Sequence, residues 1–166
     1  MLRFLLSVVL CVFALTGYSQ QILDSLGISG IRFGMSEQEL KNAVIILDTS
    51  SAYKDTAVYI RNTTCHSYFR TNERLQLKGF PASHIEYRFC DGNLAFIFID
   101  VKGTQHVRDA LIRLGKLYPK LQQQLSKNPA LTAFDLTRNN IRMIGSINAS
   151  REQLSFVLIS KRTANK

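Results

Sequence analysis

The chain holds little of the chemistry by which an enzyme is recognised from its sequence. It has three histidines and three cysteines in 166 residues. Neither an HExxH helix motif nor a paired CxxC is among them, which excludes the common zinc-site patterns. Gly27, Gly30 and Gly34 do not space as a dinucleotide fingerprint, and no Gly-Lys-Ser/Thr ending of a phosphate loop occurs. Asp48, Asp55, Glu73 and Asp100 form no recognisable pair for acid–base sugar chemistry. RNP-like and zinc-finger patterns are missing too, so nucleic acid is not an expected partner. No cofactor is expected either. Long apolar runs, linkers and low-complexity tracts are likewise lacking, which argues for one domain with a single core.

What the chain does have begins at residue 1. Arg3 supplies a short positive start, Phe4 to Leu15 an apolar core, and Gly17 and Ser19 the small residues a signal peptidase accepts. Residues 1–19 are therefore expected to be a secretory signal peptide, and 20–166 the domain. The apolar run is well short of the ~20 residues that span a bilayer, so no transmembrane segment is expected once it is removed. Cys11 lies inside this run after Leu10, which is not the small residue that lipid attachment requires.

Arg3 leaves with the leader, and of 21 Lys and Arg there remain 20, against 12 Asp and Glu, a net charge of +8. That balance favours anionic partners over basic ones, either a protein or an anionic envelope component. Cys65 and Cys90 also remain, an even pair in an oxidising compartment, which suggests one disulfide. The alternative is two buried thiols. Nothing in the sequence fixes the oligomeric state.

Gly30 to Leu40, GIRFGMSEQEL, poses a choice between a phosphate grip and a structural start. Ser36 and Glu39 have the spacing of a capping box, in which each side chain bonds a free backbone N–H at a helix start. Leu40, Ala43, Val44 and Leu47 follow at helical spacing, so a helix is expected over Ser36 to Leu47, with Ile31 and Phe33 forming a short strand before it. A helix with its own caps has no need of a phosphate.

From Ala52 to Phe80 the pattern is ragged but β-like. Ser83 to Val101 then reads as a hairpin turning at Asp91-Gly92. A plain two-residue turn puts Phe89 opposite Leu94, Tyr87 opposite Phe96 and Ile85 opposite Phe98, an apolar face. The other face would carry Arg88 beside Ala95, Glu86 beside Ile97 and His84 beside Ile99. It is mixed, a face for either a covering loop or the lining of a groove. Gly103 and Thr104 open an amphipathic helix carrying Val107, Ala110, Leu111, Leu114, Leu117, Leu121 and Leu125, which Pro119 should break near Tyr118. Arg108, Arg113 and Lys116 make its outer side basic. Leu131 to Thr137, Asn140 to Asn148 and Gln153 to Ser160 read as closing strands, with Leu154, Phe156 and Leu158 inward. Helix then strands, twice over, fits an α+β fold: an antiparallel sheet with two main helices packed on one face, read as a diverged helix-plus-strands repeat.

Gly34-Met35-Ser36-Glu37-Gln38-Glu39-Leu40 resembles the helix opening of small bacterial envelope proteins of the BamE (SmpA/OmlA) type. The helix-strands order is similar to the BamE-like and β-lactamase-inhibitor-protein class. The resemblance implies a non-enzymatic interaction domain of the envelope and carries over no catalytic residue. This chain departs from BamE in having no lipid-attachment cysteine and a longer second half.

The reading is a non-catalytic binding domain, periplasmic or secreted. Its contacts are expected from His84, Glu86, Arg88 and Ile97 on the hairpin and from Arg108, Arg113 and Lys116 on the helix. One alternative is a small metal-assisted hydrolase using His84 and Glu86, with a third ligand from His66 or Asp100. An inhibitor of a secreted enzyme is another.

Overall fold

The computed structural model describes residues 22–26, 28, 30–40, 58–60, 63–70 and 80–160. The expected leader over 1–19 and the continuation of the first helix to Leu47 lie outside these residues. Seven strands form one antiparallel sheet: β1 (Val58–Ile60), β2 (Thr63–Arg70), β3 (His84–Cys90), β4 (Asn93–Lys102), β5 (Ala133–Arg138), β6 (Ile141–Asn148) and β7 (Gln153–Ser160). Their order across the sheet is β1-β2-β3-β4-β7-β6-β5. Each half of the chain is thus a meander, and the last strands of the two halves meet in the middle. Helices α1 (Thr104–Leu117) and α2 (Pro119–Lys127) pack on one face, so the chain is an α+β protein. Among the described residues no helix is long and apolar enough to cross a membrane.

Local signals explain most of these elements. The Ser36 N–H donates to Glu39 Oε2 at 2.7 Å, and the Glu39 N–H donates to Ser36 Oγ at 3.2 Å, the two halves of the capping box. The Asp91-Gly92 turn has φ of 51° and 73°, positive at both central positions as a type I′ hairpin requires. Asn139 and Asn140 repeat that geometry between β5 and β6, with φ of 49° and 63°. Pro119 ends α1 and opens α2 from its first position, where its missing N–H costs nothing.

The expected strand at Ile31 and Phe33 is not formed. Gly30 and Gly34 both have positive φ and curl the segment into turns, leaving a single bridge between Ser36 and Asn93. The Gly34 N–H donates to the Leu94 carbonyl and the Leu94 N–H to the Met35 carbonyl, each at 2.9 Å. The segment is a clamp holding the helix opening on the central hairpin, with Ile31 and Met35 buried beneath it.

The hairpin register also departs from the plain reading. Phe89 does pair with Leu94, but a bulge follows, so that Arg88 pairs with Phe96, Tyr87 with Ile97 and Ile85 with Ile99. Ala95 is the extra residue, and it shifts the alternation of β4 by one place. Ile97, expected on the mixed face, is consequently fully buried beside Leu158 in the helix-covered core. Phe96 and Phe98, expected in the core, face outward. The branched residues Ile97, Ile99 and Val101 meet Leu158, Phe156 and Leu154 of β7, and this interior is closed by Ala110, Leu114, Tyr118 and Leu121. Cys65 and Cys90, directly opposite on β2 and β3, are joined as a disulfide with Cα atoms 4.2 Å apart.

Candidate binding surfaces

The face of the sheet turned away from α1 and α2 can be assembled row by row from the strand register. Arg88, Phe96, Ile159 and Arg142 lie side by side across four strands. The next row runs Glu86, Phe98, Val157, Ile144 and Asp135. Below it come His84, Asp100, Ser155 and Ser146. Phe96, Phe98, Ile144, Val157 and Ile159 therefore form one apolar patch spread over β4, β7 and β6. Each is half-buried, so each keeps part of its surface in solvent.

Charge pairs border the patch on both sides. On β3 the Glu86 carboxylate accepts hydrogen bonds from Ser67 Oγ at 2.6 Å and Arg88 Nε at 2.9 Å. The Arg88 guanidinium also sits 4.4 Å above the Phe98 ring, a cation–π contact that sets it at the patch edge. Opposite, Arg142 Nε donates to Asp135 Oδ1 at 2.9 Å. This bond holds the Asp135 carboxyl below its usual range and raises Arg142. In the lower row Ser155 Oγ donates to Asp100 Oδ1 at 2.6 Å.

His84, Glu86 and Arg88 thus lie where the sequence placed them, on the mixed face, whereas Ile97 does not. The residues that make this surface apolar were missed. One signal did exist: LAFIFI and FVLI are apolar at consecutive positions, and strands of that kind have no purely polar side.

Among the described residues the metal alternative gains no third ligand. His66 pairs with Phe89 on the helix side of the sheet, away from His84 and Glu86. Asp100 does stand opposite His84, but among the described residues no three of His, Cys, Asp and Glu form a set able to hold a metal ion. Cys65 is in the disulfide and is no thiol nucleophile.

The basic helix divides. Arg108, Ile112 and Lys116 stand four residues apart along one ridge of α1, and this ridge borders a groove of about 590 Å³ between α1, α2 and the β6–β7 connection. Arg113 points elsewhere and is half-buried. The sequence matches no protein-family model, and no curated protein or solved structure is significantly similar to the chain.

Proposed function

We propose that the chain is an exported, non-catalytic interaction domain of the cell envelope whose outer sheet face docks a protein partner. One observation carries the reading: the apolar patch of Phe96, Phe98, Ile144, Val157 and Ile159 is framed by ion pairs of both signs. An apolar centre with a polar rim is the usual anatomy of a protein–protein interface. A small ligand would want a concavity, which an open sheet face does not offer. A lipid surface would want cations alone around the apolar centre, whereas here Glu86 and Asp135 sit at its edges. The export part rests on the leader over residues 1–19, on the Cys65–Cys90 disulfide and on the resemblance of Gly34 to Leu40 to envelope proteins.

Two experiments test this. A photoactivatable phenylalanine analogue is placed at Phe98 or Ile144 of the full chain in the cells that produce it. Both positions should give the same discrete protein adduct, and the exposed helix position Gln123 should give none. Val157→Arg should abolish the adduct while the purified variant still unfolds cooperatively. No adduct at either sheet position, or equal labelling at Gln123, would refute the docking face. Separately, intact mass of protein from the envelope fraction should begin at Gln20. Full-length chain confined to the cytosol would refute export.

A further inference from the structure

Neighbouring rows of the outer sheet face are complementary to one another. One row carries Arg88, Phe96 and Ile159, and the next carries Glu86, Phe98 and Val157. Position by position, a cation lies next to an anion, a ring next to a ring and a branched aliphatic next to another. A second copy can be turned onto this face about a two-fold axis that runs between the rows and across the strands. Each row then meets the other: Arg88 faces Glu86, Phe96 faces Phe98 and Ile159 faces Val157, each contact made twice. That reciprocity is what an isologous interface demands. The same turn sets Arg142 of one copy beside Asp135 of the other.

We infer that the protein docked by the outer face is a second copy of this chain, sheet against sheet about that axis; the inference rests on the docking reading of this face. The charges select the axis. Stacked sheets keep their strands within about 30° of alignment, so the axis runs either across the strands or along them. Along them, Glu86 would face Asp135, with Arg88 crowded toward Arg142, and like charges would oppose each other. The Glu86–Arg88 pair is also only half used, although its side chains keep just 12 % and 18 % of their exposure. Glu86 Oε1 accepts from Ser67 Oγ, Arg88 Nε and Arg88 Nη2, whereas Glu86 Oε2 and Arg88 Nη1 have no hydrogen-bond partner among the described residues. A second copy in this orientation supplies both, its Arg88 for Oε2 and its Glu86 for Nη1, as charge-assisted bonds. The area suffices: β3 to β5 lie ~4.8 Å apart and the three rows run about 20 Å along them, so each copy presents about 500 Å². Together the copies bury about 1,000 Å², the lower bound for a specific interface.

Sedimentation equilibrium of the purified protein, its disulfide oxidised, should find a reversible dimer at about 100 μM. Glu86→Arg and Arg88→Glu each put like charges into both reciprocal contacts, so each alone should associate at least ~tenfold more weakly. Mixed in equal amounts, the two variants restore opposite charges at both contacts, and their heterodimer should form within about threefold of the wild-type affinity. Val157→Arg is a second probe that leaves the ion pair untouched: it should be monomeric at the same concentration while still unfolding cooperatively. A wild type that stays monomeric, a mixture that associates no better than its components, or a Val157→Arg dimer of unchanged affinity would overturn the inference. The photoactivatable analogue at Phe98 separates this result from the docking reading itself. An adduct of twice the chain mass supports the second copy. An adduct to a different protein, with the wild type monomeric in the centrifuge, overturns the second copy and leaves the docking face standing. No adduct at all overturns both.

Discussion

Gly145→Ala should destabilise the protein although it adds a single methyl group to the middle of a strand. Gly145 lies on β6, directly between Phe134 of β5 and Phe156 of β7 on the helix-facing side. A Cβ at this position would sit 2.6 Å from Phe134 Cε2, closer still to its Cζ, and 2.9 Å from Phe156 Cβ. Phe156 has no room to yield: the offending atom is the root of its side chain, and its ring is held edge-on against Phe80 at 6.0 Å. Phe134 lies on the last strand of the sheet order and can respond in two ways. If the ring stays, overpacking costs about 1–3 kcal/mol. If it swings out, it forfeits burial worth about 1.5–3 kcal/mol. Ala returns about 0.5–1 kcal/mol by restricting the unfolded chain. Both routes converge on a net loss of about 1–2 kcal/mol, which for a domain of this size lowers Tm by about 2–8 °C. Urea unfolding with the disulfide oxidised measures this directly. In a Phe134→Leu background the ring is gone, and the same substitution should cost at least ~0.5 kcal/mol less. An unchanged or raised Tm for Gly145→Ala, or strict additivity with Phe134→Leu, would refute the close-packing argument.

Other outcomes follow from the same contacts. Cys65 and Cys90 are 25 residues apart, so in the chain-entropy model replacing both by Ala should cost about 3.5 kcal/mol, read as a lower urea midpoint that reductant no longer affects. The Tyr118 hydroxyl is buried without a hydrogen-bond partner among the described residues, and burial pushes its pKa far up. Tyr118→Phe should therefore be neutral or stabilise by about 1 kcal/mol. In alkaline absorbance titration, the tyrosine contribution that Tyr118→Phe removes should appear in the wild type only when the chain unfolds. The Ser36 backbone N–H, and after it the Arg32 guanidinium, hold the Glu39 carboxyl below 4.5. Because its pKa is depressed in the folded state, the stabilisation is complete above pH 4.5 and lost as pH falls through the folded value. The stability gap between wild type and Glu39→Gln should shrink accordingly in acid, and a carboxyl NMR titration with its midpoint at or above 4.5 would contradict this.

The elements that could be read from sequence are those written in two to four adjacent residues. Ser36 and Glu39 state a helix start, Asp91-Gly92 a type I′ turn, and Pro119 the break between α1 and α2, because each choice depends on the conformations of its immediate neighbours. The alternation in β7 likewise placed Leu154, Phe156 and Leu158 inside. Gly30 and Gly34 show the limit even of local reading: Ile31 and Phe33 are good strand residues, but the positive φ on either side of them decides the outcome.

The bulge at Ala95 was beyond such reading. In LAFIFI both possible faces of β4 are apolar, so the sequence pattern is equally satisfied by Phe96 or Ile97 inside. The choice was made by what β7 and α1 present to the strand, since the branched residues Ile97, Ile99 and Val101 fit against Leu158, Phe156 and Leu154. That one-residue shift turned Phe96 and Phe98 outward and thereby created the apolar patch between the Glu86–Arg88 and Asp135–Arg142 pairs. The groove is of the same kind: Leu111, Leu125 and Ile147 lie far apart in the chain and become one wall only when α2 folds back beside α1 above the end of β6. The sequence by itself determined the helix start at Ser36, the Asp91-Gly92 turn, the break at Pro119, the closing strands and the α+β class, because those choices are written in neighbouring residues. The tertiary structure decided which residues face outward, because facing is a property of register, and register is set by packing between strands remote in sequence.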